Sequence, residues 1–589
     1  MKKITSSSLF FLFLAISFIF ALFCLKNGGE DSHFQEISDE IVADSFQKDS
    51  ISMQFSFQDP KQFGLSEETC SLPLYNREEY LSAGTLLDET IESLEKIDPN
   101  HLSDSVRTTY EVLLPYLQQQ RLGTDFPYYE EPLSPTSGIH ISLPVLLAEF
   151  PVENEQDIET YLSVLSLMPS YLGSIADFEA DKAALGMFMA SEDADLVISQ
   201  CEFFSSEKGK AFFTENFSLL LEKINSDDKD LISSYFEKHS AILTEQICPA
   251  YQKLADSVLL LKEPGKERKG LSQYAKGEAY YEHLVRQLVG TDASISEIEQ
   301  KLYIRLEDLY EKLSKFRASY KKGSSQPSSS HAKSLTVSNC LPVLQEELKP
   351  LFPLPDQTSN VTIKEIPDAL KDFTAPAYYF VPSIAICRKG NISSIQNTIY
   401  VRPDLKQNPV DLFTTLAHEG FPGHMYQNVY FLSTQGVNRE NVLRYCMNFP
   451  GYSEGWALYT ELLSFSYADG DETYLELLRI SREIQLCLLC ILDIRIHRDE
   501  ADVSDISPYL ARIGIKEPTD VEQIFTYLIN EPGTYLKYYV GYLELLDCKE
   551  LYQRKCMSQK ITYSELDFHT FFLTHGPDSY VNIKKEIKQ

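Results

Sequence analysis

The run TTLAHEGFPGHMYQ, from Thr414 to Gln427, places two histidines and a glutamate close together. Neutral imidazoles and carboxylates are the donors that a hydrolytic zinc ion takes, and such a site keeps one position open for water. A carboxylate beside that water can accept its proton as it attacks a carbonyl carbon. His418 and His424 are therefore read as metal ligands and Glu419 as the general base. In the familiar H-E-x-x-H arrangement the two histidines share one helical face. Here they stand six residues apart. On a continuous helix that spacing turns the side chains apart by roughly 240°. The insert must then bend the backbone. Pro422 lacks an amide donor and disfavours helix at Phe421, while Gly420 and Gly423 accept unusual dihedrals. The competing reading makes His418 a core hydrogen-bond donor and Pro422-Gly423 an ordinary helix stop.

A third ligand is expected a few tens of residues further on. The segment GYSEGWALYTE, Gly451 to Glu461, holds two carboxylates and the single tryptophan, Trp456. Glu454 and Glu461 are seven residues apart, so both can face one side of a helix. Glu454 is read as the third zinc ligand. Glu461 is read as support for a ligand histidine.

These two segments, HEGFPGHMYQ and GYSEGWALYTE, resemble the signatures of a bacterial family designated domain of unknown function eight-eighty-five. Its members are similar to helical zinc peptidases of the gluzincin kind, such as angiotensin-converting enzyme and oligopeptidases. The similarity runs from about Leu74 to the C-terminus, with weaker matches at GEAYY (Gly277 to Tyr281), PAYY (Pro376 to Tyr379), Pro532 to Gly541, and Phe568-His569. The resemblance implies His418, His424 and Glu454 as zinc ligands, Glu419 as base, and a peptide rather than a folded protein as substrate. It also points to Tyr538, in YLKYYVG, as the first candidate to stabilise the oxyanion, with His497 as the second. One segment departs from the family pattern D-x-G-x-H-x-x-G-W. Here it reads DIRIHRDEA, Asp493 to Ala501, with Arg495 in place of the glycine and no Gly-Trp pair. Asp493 and His497 keep a spacing that lets the carboxylate orient the imidazole.

The elements that must position these groups are mostly helices. Helical periodicity is expected at residues 79–98, 160–185, 227–261 and 295–316, the last opened by a capping box of Ser294 and Glu297. Strands are expected at 378–386 and 397–402, paired as a hairpin just before the motif. Residues 411–430 read as a helix interrupted in its middle. The expected fold is a large, mainly α metallopeptidase-like unit over residues 68–589, with a small β-sheet beside the active-site cleft. Residues 321–334, KKGSSQPSSSHAKS, read as a flexible loop between two lobes.

Residues 1–30 read as an export signal that stays as a membrane anchor. Lys2 and Lys3 precede an apolar run at 9–25, which puts the rest of the chain outside the cytoplasm. Leu22 and Phe23 make a poor lipoprotein cleavage site at Cys24. Residues 31–67 read as an acidic, flexible stalk. The 53 basic and 86 acidic residues give a net charge of -33, which argues against nucleic acid as a partner. Cys487 and Cys490 form a CxxC in an apolar stretch and are read as buried helix packing. Nothing in the sequence assigns an oligomeric state or a disulfide pairing. The expected activity is zinc-dependent hydrolysis of peptide bonds. The alternatives are a zinc amidohydrolase acting on a non-peptide amide, or an anchored binding protein with a vestigial site.

Overall fold

Apolar residues recur at helical spacing through most of the chain, and they fold accordingly. The computed structural model describes residues 29–66, 69–323, 336–354, 360–366, 375–387 and 395–589. Helix Glu155–Ala184 starts at a capping box of Asn154 and Asp157 and buries Ile158, Leu162, Leu165, Leu172 and Ile175 along one stripe. The helix expected at 295–316 runs over Ile295–Gly323. Its Ser294 hydroxyl accepts from the Glu297 amide, while the Glu297 carboxylate accepts from the Ser294 amide. The stretch expected at 227–261 is Lys229–Ile242, one π turn at Leu243–Ile247, and Cys248–Leu261. Cys487 and Cys490 are fully buried in a helix, as expected, and Cys487 Sγ donates to Leu302 O at 3.3 Å.

One sheet interrupts the helices. Its strands are β1 (Asn360–Glu365), β2 (Ala377–Phe380) and β3 (Gln396–Val401), in the order β1-β3-β2. β2 and β3 are antiparallel, as the hairpin reading requires, although β2 stops well short of residue 386. β1 is parallel to β3 and was not expected, because its exposed residues carry little alternating pattern. The sheet lies between two hydrophobic cores. Tyr378 and Tyr400 join a core with Leu162, Phe204 and Tyr251. Their neighbours Tyr379 and Ile399 join the core that holds the motif helices. Alternation along a strand sends successive side chains to opposite faces.

The stalk expected at 31–67 is a correction. Residues Glu30–Phe46 form a helix, followed by a shorter one at Ser50–Ser56. Phe34, Ile37, Ile41, Val42 and Phe46 are buried in the motif core. Their spacing makes an apolar stripe, which the many intervening Asp, Glu and Ser residues obscure in composition. The apolar run at 9–25 lies outside the described residues, as do positions 324–334 of the expected loop. Residues 321–323 end the helix before it. Among the described residues no helix is long and apolar enough to cross a membrane.

Phe34 is fully buried, so Phe34→Ala is expected to cost about 3–5 kcal/mol of folding free energy, read as a lower midpoint of urea unfolding. A stalk residue would cost almost nothing, and an unchanged midpoint would detach this segment from the core.

Candidate metal centre

The motif folds as two helices with a break between them. Helix Pro409–Glu419 is capped at its start by Asn408, whose side chain accepts from the amides of Val410 and Asp411. It ends at Gly420, and helix His424–Gln435 begins four residues later. At the break the backbone folds closely on itself. A Cβ on Gly423 would lie 1.8 Å from His418 O, and one on Gly420 would lie 2.5 Å from Leu341 Cδ2. The break is held from outside as well. Trp456 Nε1 donates to Pro422 O at 2.8 Å, and Thr460 Oγ1 donates to Ala417 O at 3.3 Å. Both come from helix Pro450–Ser464, which also carries Glu454.

The break brings His418 and His424 together, with ring centroids 4.9 Å apart. Glu454 Oε2 lies 3.2 Å from His424 Nε2 and 3.7 Å from His418 Nε2. That oxygen is buried and has no hydrogen-bond partner. Three donor atoms, two nitrogens and one oxygen, thus lie within 4.8 Å of one another without satisfying one another. A buried polar atom left unpaired is costly; a cation among the three would remove that cost. The donor set therefore fits a metal ion.

Surrounding groups orient the donors. His418 Nδ1 donates to Glu461 Oε2 at 2.9 Å, which leaves Nε2 turned toward Glu454. Glu461 Oε1 accepts from Arg482 Nε at 2.9 Å. Burial works against the charged form of His418, but Glu454 and Glu461 outweigh it and raise its pKa to about 10. Burial likewise works against ionised Glu461, and Arg482 with His418 brings it down to about 2. Glu454 is also held well below the usual carboxylate range, burial being outweighed by His418 and His424. All of these describe the protein without metal.

Glu419 is not among the converging donors. Its Oε2 accepts the main-chain N–H of Tyr379, on β2, at 2.8 Å. The Tyr538 ring stands 6.3 Å from the His418 ring. Burial, with Glu454 and Glu419 nearby, pushes its hydroxyl well above the ordinary tyrosine range. Sequence reasoning did not find Arg482 or the Tyr379 amide. Arg482 lies in a long helix with no local motif, and a main-chain amide leaves no mark in residue type.

His497 is a correction. Its side chain is 1% exposed and both ring nitrogens are engaged: Nδ1 accepts from Leu271 N at 3.3 Å and Nε2 donates to Leu528 O at 3.0 Å. Burial keeps it neutral, with a pKa of about 4. It joins chain segments and has no donor left for an oxyanion. Nor does Asp493 orient it; that carboxylate accepts from the Tyr281 hydroxyl and from Gly533 N. The i, i+4 spacing was real, but each side chain found a closer partner in another element.

The profile of a family described as bacterial proteins of unknown function, DUF885, matches residues 61–580. Among solved structures, a candidate lipoprotein from Colwellia psychrerythraea aligns with a TM-score of 0.81 at 16% identity, covering 95% of this chain and 99% of that one. A candidate lipoprotein of unknown function from Shewanella oneidensis aligns with a TM-score of 0.64 at 17% identity, covering 94% and 100%. At these identities the likeness is one of fold. No curated protein matches the chain.

Two substitutions test the break itself. Trp456→Phe keeps an apolar ring but leaves Pro422 O without its donor, an expected loss of about 1–3 kcal/mol. Gly423→Ala drives a Cβ into His418 O and is expected to lower the chemical unfolding midpoint further. Wild-type midpoints in both variants would show that the break does not depend on these contacts.

Proposed function

The chain belongs to the bacterial family of unknown function DUF885, and we propose that it is a zinc-dependent peptidase held on the outer side of a membrane. The observation that carries this reading is the convergence of His418 Nε2, His424 Nε2 and the unpaired Glu454 Oε2. Two imidazoles and one carboxylate are the protein ligands of a catalytic zinc set. Zinc held by them supplies Lewis acidity, lowering the pKa of water and polarising a carbonyl oxygen.

The remaining work belongs to the chain. Tyr379 N–H holds Glu419 Oε2, which aims the carboxylate and leaves Oε1 to take the proton of the attacking water. The same carboxyl then passes that proton to the departing amine nitrogen. Tyr538 keeps its proton at neutral pH and donates to the carbonyl oxygen as negative charge grows there. The side chains of His418, His424 and Glu454 are recessed, at 13%, 20% and 16% exposure. We read that recession as favouring an extended peptide over the surface of a folded protein. Lys2 and Lys3 before the apolar run support export, and the names of the two structural neighbours support membrane association.

Glu419→Gln is expected to retain zinc and to lose about 10²–10⁴-fold in turnover of a mixed peptide library. Glu454→Gln is expected to lose zinc, because a charged ligand is gone. Metal analysis and mass spectrometry of the digested library read the two effects separately. A zinc-loaded wild-type protein that cleaves no peptide, or cleavage that a chelator leaves untouched, would overturn the reading.

A further inference from the structure

A second site of unsatisfied charge lies away from the metal centre. Glu130 is 8% exposed, and neither of its carboxylate oxygens has a hydrogen-bond partner. It lines a small cavity of ≈ 10 Å³ together with Tyr80, Phe126, Tyr280, His283 and Gln287. That volume holds one particle of about the size of water. Helices Arg77–Glu95 and Gly277–Val289 supply most of the wall.

The cations nearby are engaged elsewhere. Lys182, fully buried, donates to the main-chain oxygen of Glu130 at 2.7 Å and to Glu131 Oε2 at 2.6 Å, and lies 3.6 Å from Glu179 Oε1. One ammonium therefore contacts two carboxylates, those of Glu131 and Glu179, and none of its hydrogen bonds reaches the Glu130 carboxylate. Lys276 Nζ is bonded to Asp125 O at 3.0 Å and stands over the Phe126 ring, 5.9 Å from its centroid. His283 supplies no charge: burial lowers its pKa to about 4, and Nδ1 accepts from Gln119 Nε2 at 3.0 Å. An ionised carboxylate buried without a partner is strongly disfavoured.

The rest of the wall suits a cation. The rings of Phe126 and Tyr280 stand 5.5 Å apart at 58°, and His283 stacks on Phe126 at 5.6 Å. Aromatic faces attract cations through their quadrupole. We propose that this cavity binds one small monovalent cation, an ammonium or alkali-metal ion, held by the Glu130 carboxylate beside the ring of Tyr280. The volume excludes alkylated ammonium groups. Burial raises the Glu130 carboxyl to about 8, only partly relieved by Lys182, and a bound cation restores its ionised form at neutral pH. The site is independent of the peptidase reading, since none of its residues belongs to the metal centre.

Thermal unfolding of the full chain tests this in KCl, NaCl, NH₄Cl and N-methylglucamine chloride at equal ionic strength. At least one small cation is expected to raise Tm by about 1–3 °C in a saturable way over the bulky organic cation. Saturation in NH₄Cl alone assigns ammonium; saturation in KCl or NaCl assigns an alkali-metal ion. Glu130→Gln is expected to remove the difference. Tyr280→Leu, which keeps the carboxylate and removes one ring, is expected to raise the cation concentration at half-effect about 2–30-fold. Equal Tm in all four salts would overturn the proposal, leaving a protonated Glu130 beside a water. So would a cation effect that survives Glu130→Gln. If Glu130→Gln does not fold, the wild-type salt series and Tyr280→Leu decide: a saturable effect unmoved by Tyr280→Leu would also overturn the proposal.

Discussion

Two imidazoles six residues apart can face one point only where the helix between them stops and restarts. That interruption is the constraint on which the candidate metal centre depends. It requires the backbone of Gly423 to lie against His418 O, an approach that a side chain would prevent. It also requires a donor for Pro422 O, and Trp456 supplies it. Trp456 and Thr460 lie on the helix that presents Glu454. The third candidate donor and the side chains that clamp the break thus lie on one helix. The same helix is brought in by further close contacts: a Cβ on Gly455 would lie 2.5 Å from Gly541 C, and one on Gly451 would lie 2.1 Å from Val289 O. Gly541 belongs to the helix that presents Tyr538. Close backbone packing of this kind converts sequence-distant side chains into one cluster.

Electrostatics then sets the state of that cluster. Arg482, Glu461, His418 and Glu454 alternate in sign along a chain of contacts. Arg482 keeps Glu461 ionised, Glu461 orients the His418 ring, and His418 presents its other nitrogen to Glu454. Glu454 remains ionised despite its burial. A buried carboxylate kept charged beside two imidazoles is prepared for a cation. Glu130, by contrast, is buried with no such partners, so two carboxylates of one chain meet opposite environments.

The sheet links this centre to the remainder of the molecule. β2 offers the Tyr379 amide to Glu419 on one side and the Tyr378 ring to the other core. The position of the general-base candidate is therefore tied to both cores. The helix Glu30–Phe46 seals the motif core from outside. The chain is acidic on its surface, and its apolar stripes lie beneath that charge.

The sequence by itself determined the residue types and the local breaks. The order His418, Glu419, Gly420, Pro422, Gly423, His424 already excluded a continuous helix, because proline and glycine act on their own backbone. Glu454 and Glu461 were legible as a pair for the same local reason: seven residues make two helical turns. Strand-favouring residues and turn chemistry marked β2 and β3, and periodicity marked the helices at 79–98, 160–185, 227–261 and 295–316. Only the tertiary structure decided what required a partner from another element. It gave Glu461 to His418 and Arg482, and it gave Asp493 to Tyr281 and Gly533 rather than to His497. It folded residues 30–56 as helices whose apolar stripe is hidden by their acidic composition. It also paired β1 beside β3, where register depends on the neighbour. Hydrogen bonds and burial between distant segments depend on which surfaces meet, and no local pattern of residue types records that meeting.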